Sequence, residues 1–265
     1  MNRTVAFAGS WYPTTKKEIE KFINLDVPTK KALGAMCPHA GWVYSGRCAG
    51  MVYSRMKPVG LYVIIGPNHS GLGAPVSIYF QGEWDTPLGP LTVDNIFAKE
   101  ILTRCGLAVS DTLAHKQEHS IEVQLPFIKR FSPVAKILPI SLGDYNPLTC
   151  QKLGLAIAGA LKAQHKETDS LVIASSDMSH YLPAAAAEAA DKPALERILN
   201  LDPAGLLHVV SRNNISMCGS GPVAVMLHAA IALGARSAEL VNYTNSGASS
   251  GDYTQVVSYA GITIS

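Results

Sequence analysis

Residues Met36–Gly46 read MCPHAGWVYSG, and the fold turns on them. The apolar run Ala32–Cys37 stops at Pro38, and His39 follows at once. Small residues and two aromatics, Trp42 and Tyr44, then lead toward a helix. This is the pattern of a buried strand whose carboxyl end delivers an imidazole into a crevice, where open α/β sheets bind their ligands. The pattern recurs. Leu61–Ile65 is a second apolar run, followed by Gly66-Pro67-Asn68-His69. Leu171–Ala174 is a third, followed by Ser175-Ser176-Asp177-Met178-Ser179-His180. Near-continuous apolar strands of this kind belong to sheets covered on both faces.

Around these strands the chain alternates. After a turn-rich entry at residues 1–13, Thr14 or Thr15 caps a short helix to Phe22, and a helix spans Ser45–Met56. Val76–Phe80 reads as a strand, and Gln81–Asp94 as a hairpin broken by Pro87-Leu88-Gly89-Pro90. Asn95 caps a helix through Cys105, and Glu118–Phe131 is mostly helical, with Pro126 starting or kinking a turn. Lys136–Leu142 is a strand. Pro147–Gln164, Ala184–Leu199 and Pro203–Arg212 are helices, and Ser220 caps a last one through Leu233. Glu239–Tyr243 and Tyr253–Ile264 close the chain as strands around a plain loop within Asn242–Asp252. The alternation predicts an α/β fold of three α/β/α layers with a central mixed, largely parallel sheet, as one domain over residues 1–265.

Composition narrows the function. Charged residues are 16 % and the net charge is +2 with no basic block, which argues against a nucleic-acid surface. No apolar segment reaches the roughly 18–20 residues of a membrane span. The first residues, MNRTVAFAGSWYP, lack the apolar core of a signal peptide. Five cysteines at irregular spacing do not make a disulfide framework, so the expectation is a reduced, cytoplasmic chain.

His39 and His69 are the leading metal ligands, because neutral imidazole suits iron, zinc and copper and both follow strands that would converge. Cys218 lies just before the final helix, whose N-terminal partial charge favours a thiolate, a metal ligand or a nucleophile. Asp177 and His180 share one loop, where a carboxylate fixes an imidazole tautomer for acid/base work, or Asp177 caps a helical turn starting at Met178. His115–His119 matches the zinc signature H-x-x-E-H, but that enzyme type needs a further carboxylate ligand and a larger architecture. We read His119 and Glu122 instead as entering the crevice.

PHAGWVYSG, GPNH, EHSIEVQLPF, SSDMSHY, MCGSGP and NYTNSG…GDYTQVVSYAG stand in the order seen in the Memo family, and the chain resembles it from about Phe7 to Ile264. That family includes AmmeMemoRadiSam system protein B of archaea and bacteria, and is similar in fold to the catalytic subunit of class III extradiol dioxygenases. The resemblance implies a metal site on His39, His69 and Cys218, with Asp177 and His180 lining the same pocket. Iron(II) is the expected ion, with copper or zinc as alternatives. The dioxygenases use a carboxylate where this chain has Cys218, so dioxygenase activity does not follow from the fold.

Three functions are in view. The first is a metal-dependent redox enzyme on an unknown small molecule, with His180 as base, Asp177 orienting it and His119 in the pocket. The second is a hydrolase using zinc-bound water or Cys218. The third is a module that binds a peptide or protein. The family name further implies AMMECR-type and radical S-adenosylmethionine partner proteins, although the chain has no Cys-rich iron–sulfur motif.

Overall fold

A computed structural model describes residues 2–24 and 26–265, so Met1 of the turn-rich entry lies outside the described residues. The strands are β1 (Gly34–Cys37), β2 (Leu61–Pro67), β3 (Val76–Ile78), β4 (Glu83–Trp84), β5 (Leu91–Val93) and β6 (Val109–Ser110). They continue with β7 (Lys136–Leu142), β8 (Ser170–Ser175), β9 (His180–Leu182), β10 (Ala238–Asn245) and β11 (Val256–Ile264). They form one mixed sheet in the order β10-β11-β1-β8-β2-β7-β3-β6, with β4, β5 and β9 paired off this path. The central strands β1, β8, β2 and β7 are mutually parallel, while β11 and β3 flank them antiparallel.

That centre positions the site. β8 lies between β1 and β2, in register Met36↔Ala174 and Ile65↔Ala174. The three runs singled out in the sequence therefore end side by side, at the same edge.

The helices are α1 (Lys16–Ile19), α2 (Trp42–Arg55), α3 (Asn95–Arg104), α4 (His119–Glu122) and α5 (Leu125–Phe131). They continue with α6 (Pro147–Ala163), α7 (Ala184–Leu199), α8 (Pro203–Arg212), α9 (Ser220–Ala232) and α10 (Gly247–Ser250). Side chains alternate across a strand. Leu61, Val63 and Ile65 of β2 accordingly join one core with Phe97 of α3, Leu153 of α6 and Met226 of α9. Tyr62 and Ile64 join the opposite core with Val52 of α2 and Phe127 of α5. The result is the expected three-layer α/β arrangement. Burying each such aliphatic side chain contributes roughly 1.5–3 kcal/mol.

Some local expectations are corrected. Asp94, not Asn95, caps α3, its Oδ1 accepting the Phe97 N–H at 3.0 Å. Gly219, not Ser220, occupies the cap position of α9, which has no side-chain cap. Asp177 caps no helical turn, because the chain after it forms β9, paired with β11 at His180↔Val257. Asn242–Asp252 is not a plain loop but the end of β10 followed by the single turn α10. The edge strand β6 escaped the sequence reading because two exposed residues carry no periodicity.

Candidate functional site

His39 follows β1 by two residues, and its backbone is fixed by Asp177, which follows β8 by two. The Asp177 Oδ1 accepts the N–H of His39 at 2.8 Å and of Ala40 at 3.3 Å. The His39 ring is held by Ser175. That hydroxyl donates to the Ser120 carbonyl at 2.6 Å and accepts the Gln124 side-chain N–H at 3.0 Å. Its one proton is thus committed, so it can only accept from His39 Nδ1, 3.0 Å away. The tautomer follows: Nδ1 carries the proton and Nε2 presents a lone pair. Nε2 stands 3.2 Å from the Cys218 Sγ.

His69 follows β2 by two residues and is gripped by Glu118. The buried carboxylate accepts the His69 backbone N–H at 2.7 Å on Oε2 and faces its Nδ1 at 2.9 Å on Oε1. With Nδ1–H donated there, His69 Nε2 is free to face inward. A carboxylate behind an imidazole raises its basicity and fixes its ring, as in metal–histidine–carboxylate triads.

Cys218 arrives from the other end of the chain. Tyr145 donates its hydroxyl to the Cys218 carbonyl at 2.6 Å, and Gly219 N–H donates to Ser176 Oγ at 3.0 Å. Gly219 permits this approach, since a Cβ there would sit 2.5 Å from the Ser175 carbonyl oxygen. One donor atom each from His39, His69 and Cys218 lie within 4.8 Å of one another. His69, Glu118 and His119 form a second such group.

His119 opens α4 beside the first group. Its ring stacks on His69 at 4.6 Å between centroids and packs against Trp11 at 4.1 Å. Burial, reinforced by the neighbouring His39, lowers its pKa to about 4. Burial, reinforced by His69, lowers that of His39 to about 3. Both imidazoles are therefore neutral at pH 7, the protonation state that ligates a metal. Burial also raises the Asp177 carboxyl, against the opposing pull of the His39 and Ala40 amides.

The thiol departs from expectation. Burial and the charge of Asp177 raise the Cys218 pKa, outweighing any effect of the α9 N-terminus. In the metal-free site it is a thiol. A bound divalent cation inverts this logic and deprotonates a coordinating sulfur.

Two other expectations are corrected, and His115 is placed apart from His119. His180 is not oriented by Asp177: its backbone N–H donates to Ser216 Oγ at 2.8 Å and its Nδ1 lies 2.9 Å from the Ser216 carbonyl, which fixes the Nδ1–H form. Glu122 does not enter the crevice. It is fully buried, pairs with Arg3 at 2.5 Å, and accepts from Phe7 N–H at 2.8 Å and the Tyr12 hydroxyl at 2.9 Å. His115 does not share a helix face with His119. It sits in a separate 3-10 turn, its Nε2 3.2 Å from the Ser77 carbonyl and its ring boxed by Tyr79 and Trp84.

Glu118, Ser175, Gln124 and Trp11 went unrecognised as site residues. Glu118 was visible only inside H-x-x-E-H, and the spacing does not disclose that its partner is His69. A crevice of ≈ 570 Å³ leads outward from His39, His119 and Asp177, walled by Trp11, Tyr44 and Tyr259.

The fold and site define a three-layer α/β protein whose nitrogen, sulfur and carboxylate donors gather at the carboxyl ends of adjacent parallel strands. The family description "Memo-like protein" matches residues 3–263. A MEMO1 family protein of Methanosarcina barkeri is 45% identical over 268 residues, covering 99% of each chain. One of Methanopyrus kandleri is 39% identical over 280 residues, covering 99% of this chain and 98% of its own. One of Aquifex aeolicus is 39% identical over 266 residues, covering 98% of both. The chain belongs to the Memo family.

Proposed function

We propose that this chain is a metal-dependent oxidoreductase that holds a transition metal on His39 Nε2, His69 Nε2 and Cys218 Sγ and acts on a small molecule seated in the adjoining crevice. The observation that carries this reading is the convergence of those three donors within 4.8 Å of one another. The donor chemistry fits. Two imidazole nitrogens and a sulfur suit iron, copper or zinc rather than magnesium or calcium. Iron(II) is the first candidate, with copper and zinc as competing ions. When bound, such an ion supplies Lewis acidity and, for iron or copper, electron transfer.

The protein supplies the rest. Glu118 and Ser175 fix the two imidazoles so that their Nε2 lone pairs face the common point. His119, neutral and lining the crevice, accepts a proton from a hydroxyl or amine brought beside it. Asp177 holds the His39 backbone, and His180, fixed by Ser216, completes the proposed acid/base set.

Anaerobic purification followed by elemental analysis tests the reading. Wild type should carry about one equivalent of iron or copper per chain, lost in His39→Ala and Cys218→Ala proteins that retain their fold. A wild-type protein that takes up no transition metal, under conditions that reload a known iron protein, overturns it. Zinc alone, with no redox-active ion accepted, moves the assignment to hydrolysis.

A further inference from the structure

The crevice itself carries information about what enters it. Its floor is made by buried His39 and Asp177 and by His119. Four aromatic residues line it: Trp11, Tyr44, the buried Tyr259 and the exposed Tyr181. None of its lining residues is lysine or arginine. Its charged rim residue is Asp252, whose Oδ1 is occupied by the Thr254 N–H at 2.8 Å and hydroxyl at 2.6 Å. Among the described residues the second oxygen has no hydrogen-bond donor, which leaves an acceptor available at the entrance.

Tyr181 is placed there at a conformational cost. Its φ is +58°, a region that bulky residues rarely adopt, and the residue is 73 % exposed. The strain is held by its neighbours, since His180 is tied to Ser216 and both His180 and Leu182 pair with β11. Backbone strain maintained in this way concentrates at ligand clamps.

Aromatic faces attract cations through the ring quadrupole, and a carboxylate at the mouth adds to that attraction. A carboxylate or phosphate ligand would find no cationic side chain in this lining. We propose that the crevice selects a small molecule with a flat, apolar or aromatic body and an ammonium group. The body lies between Trp11 and the tyrosines, and the ammonium is at the Asp252 mouth. This rests on the reading that the crevice delivers a substrate to the histidine–cysteine cluster, and it names that substrate's class.

Three probes of one skeleton separate the charge from the shape: tyramine (cation), 2-(4-hydroxyphenyl)ethanol (neutral) and 4-hydroxyphenylacetate (anion). Binding is measured by calorimetry on full-length protein, without metal and again after iron(II) loading, and by quenching of Trp11 fluorescence against a Trp11→Phe control. Tyramine should bind about ten-fold tighter than 4-hydroxyphenylacetate, with the neutral probe between them. Asp252→Asn keeps the Oδ1 acceptor for Thr254, so the loop persists. It should weaken tyramine about two- to five-fold and leave the neutral probe unchanged.

Equal or tighter binding of the anion overturns the proposal. So does failure of all three probes to bind at millimolar concentration, or a tyramine preference indifferent to Asp252→Asn. Failure of the metal reading is distinguishable. A protein that refuses metal yet prefers tyramine keeps the crevice assignment, whereas one that loads iron and prefers the anion loses only this inference.

Discussion

Glu118 grips His69 twice, taking its backbone N–H on one carboxylate oxygen at 2.7 Å and standing 2.9 Å from its Nδ1 on the other. The carboxylate also accepts the Ser120 N–H at 2.9 Å, so it is anchored to α4 while it orients a residue at the end of β2. Burial pushes its pKa up, but the His69 ring and these amides outweigh burial and hold it at about 2. Near neutral pH it is a carboxylate, and His69 is fixed as the Nδ1–H tautomer.

Glu118→Gln tests that grip. The amide keeps the shape but removes the negative charge that faces the His69 Nδ1. Metal affinity, measured by competition with a chromophoric chelator, should fall about 10–100-fold while thermal stability changes little. Unchanged affinity would show that His69 needs no such support.

Cys218→Ser probes the donor that separates this site from a two-histidine, one-carboxylate arrangement. Serine fills similar space, and the backbone contacts of Tyr145 and Gly219 remain. Copper(II)- or cobalt(II)-loaded wild type should show a sulfur-to-metal charge-transfer band that the variant lacks, with a larger loss of affinity than Glu118→Gln causes. A band that survives the substitution places the sulfur outside the coordination sphere.

The strand ends were legible in sequence because apolar runs closed by Pro38, Pro67 and the Ser175-Ser176 pair mark where buried strands stop. Parallel neighbours then bring those ends together automatically. What stayed hidden is partner choice. Asp177 and His180 stand three apart, yet one reaches back to β1 and the other to Ser216, because β9 turns away to pair with β11. Glu118 and Glu122 lie four apart on neighbouring turns, yet one serves His69 and the other Arg3. Local spacing fixes which residues share a face, not which distant group approaches that face. The Cys218 thiol likewise depends on burial by strands remote in sequence, which a cap position cannot reveal.

Glu122 holds the N-terminal segment against the site. Its carboxylate gathers Arg3, the Ala6 and Phe7 amides and the Tyr12 hydroxyl, and the same segment carries Trp11 onto His119. Glu122→Gln leaves the Arg3 guanidinium, 6 % exposed, without its charge partner. Breaking a buried pair from one side costs about 3–5 kcal/mol, whereas removing both charges costs much less. Urea denaturation should therefore show Glu122→Gln to be strongly destabilised, and Glu122→Gln with Arg3→Met partly restored. Additive losses in the double variant would refute the coupling.

Asp94, away from the site, gives the fold a pH dependence of its own. It is buried, caps α3 through the Phe97 N–H, and receives the Lys166 ammonium at 2.7 Å. Burial pushes its pKa up, but the Lys166 hydrogen bond, the Phe97 amide and the charges of Lys166 and Lys136 outweigh it, so the net shift is downward. A carboxyl depressed in the folded state stabilises the fold above its unfolded pKa, about 3.9, and loses that contribution as pH falls through the folded value. Asp94→Asn keeps the cap acceptor and removes only the charge, and Lys166, about a third exposed, can return to water. Above pH 5 the variant should be less stable by about 0.5–1 kcal/mol, an exposed-pair magnitude. Below pH 4 the two unfolding curves should converge. A gap that widens as pH falls would reverse the sign of the linkage and remove Asp94 as its source.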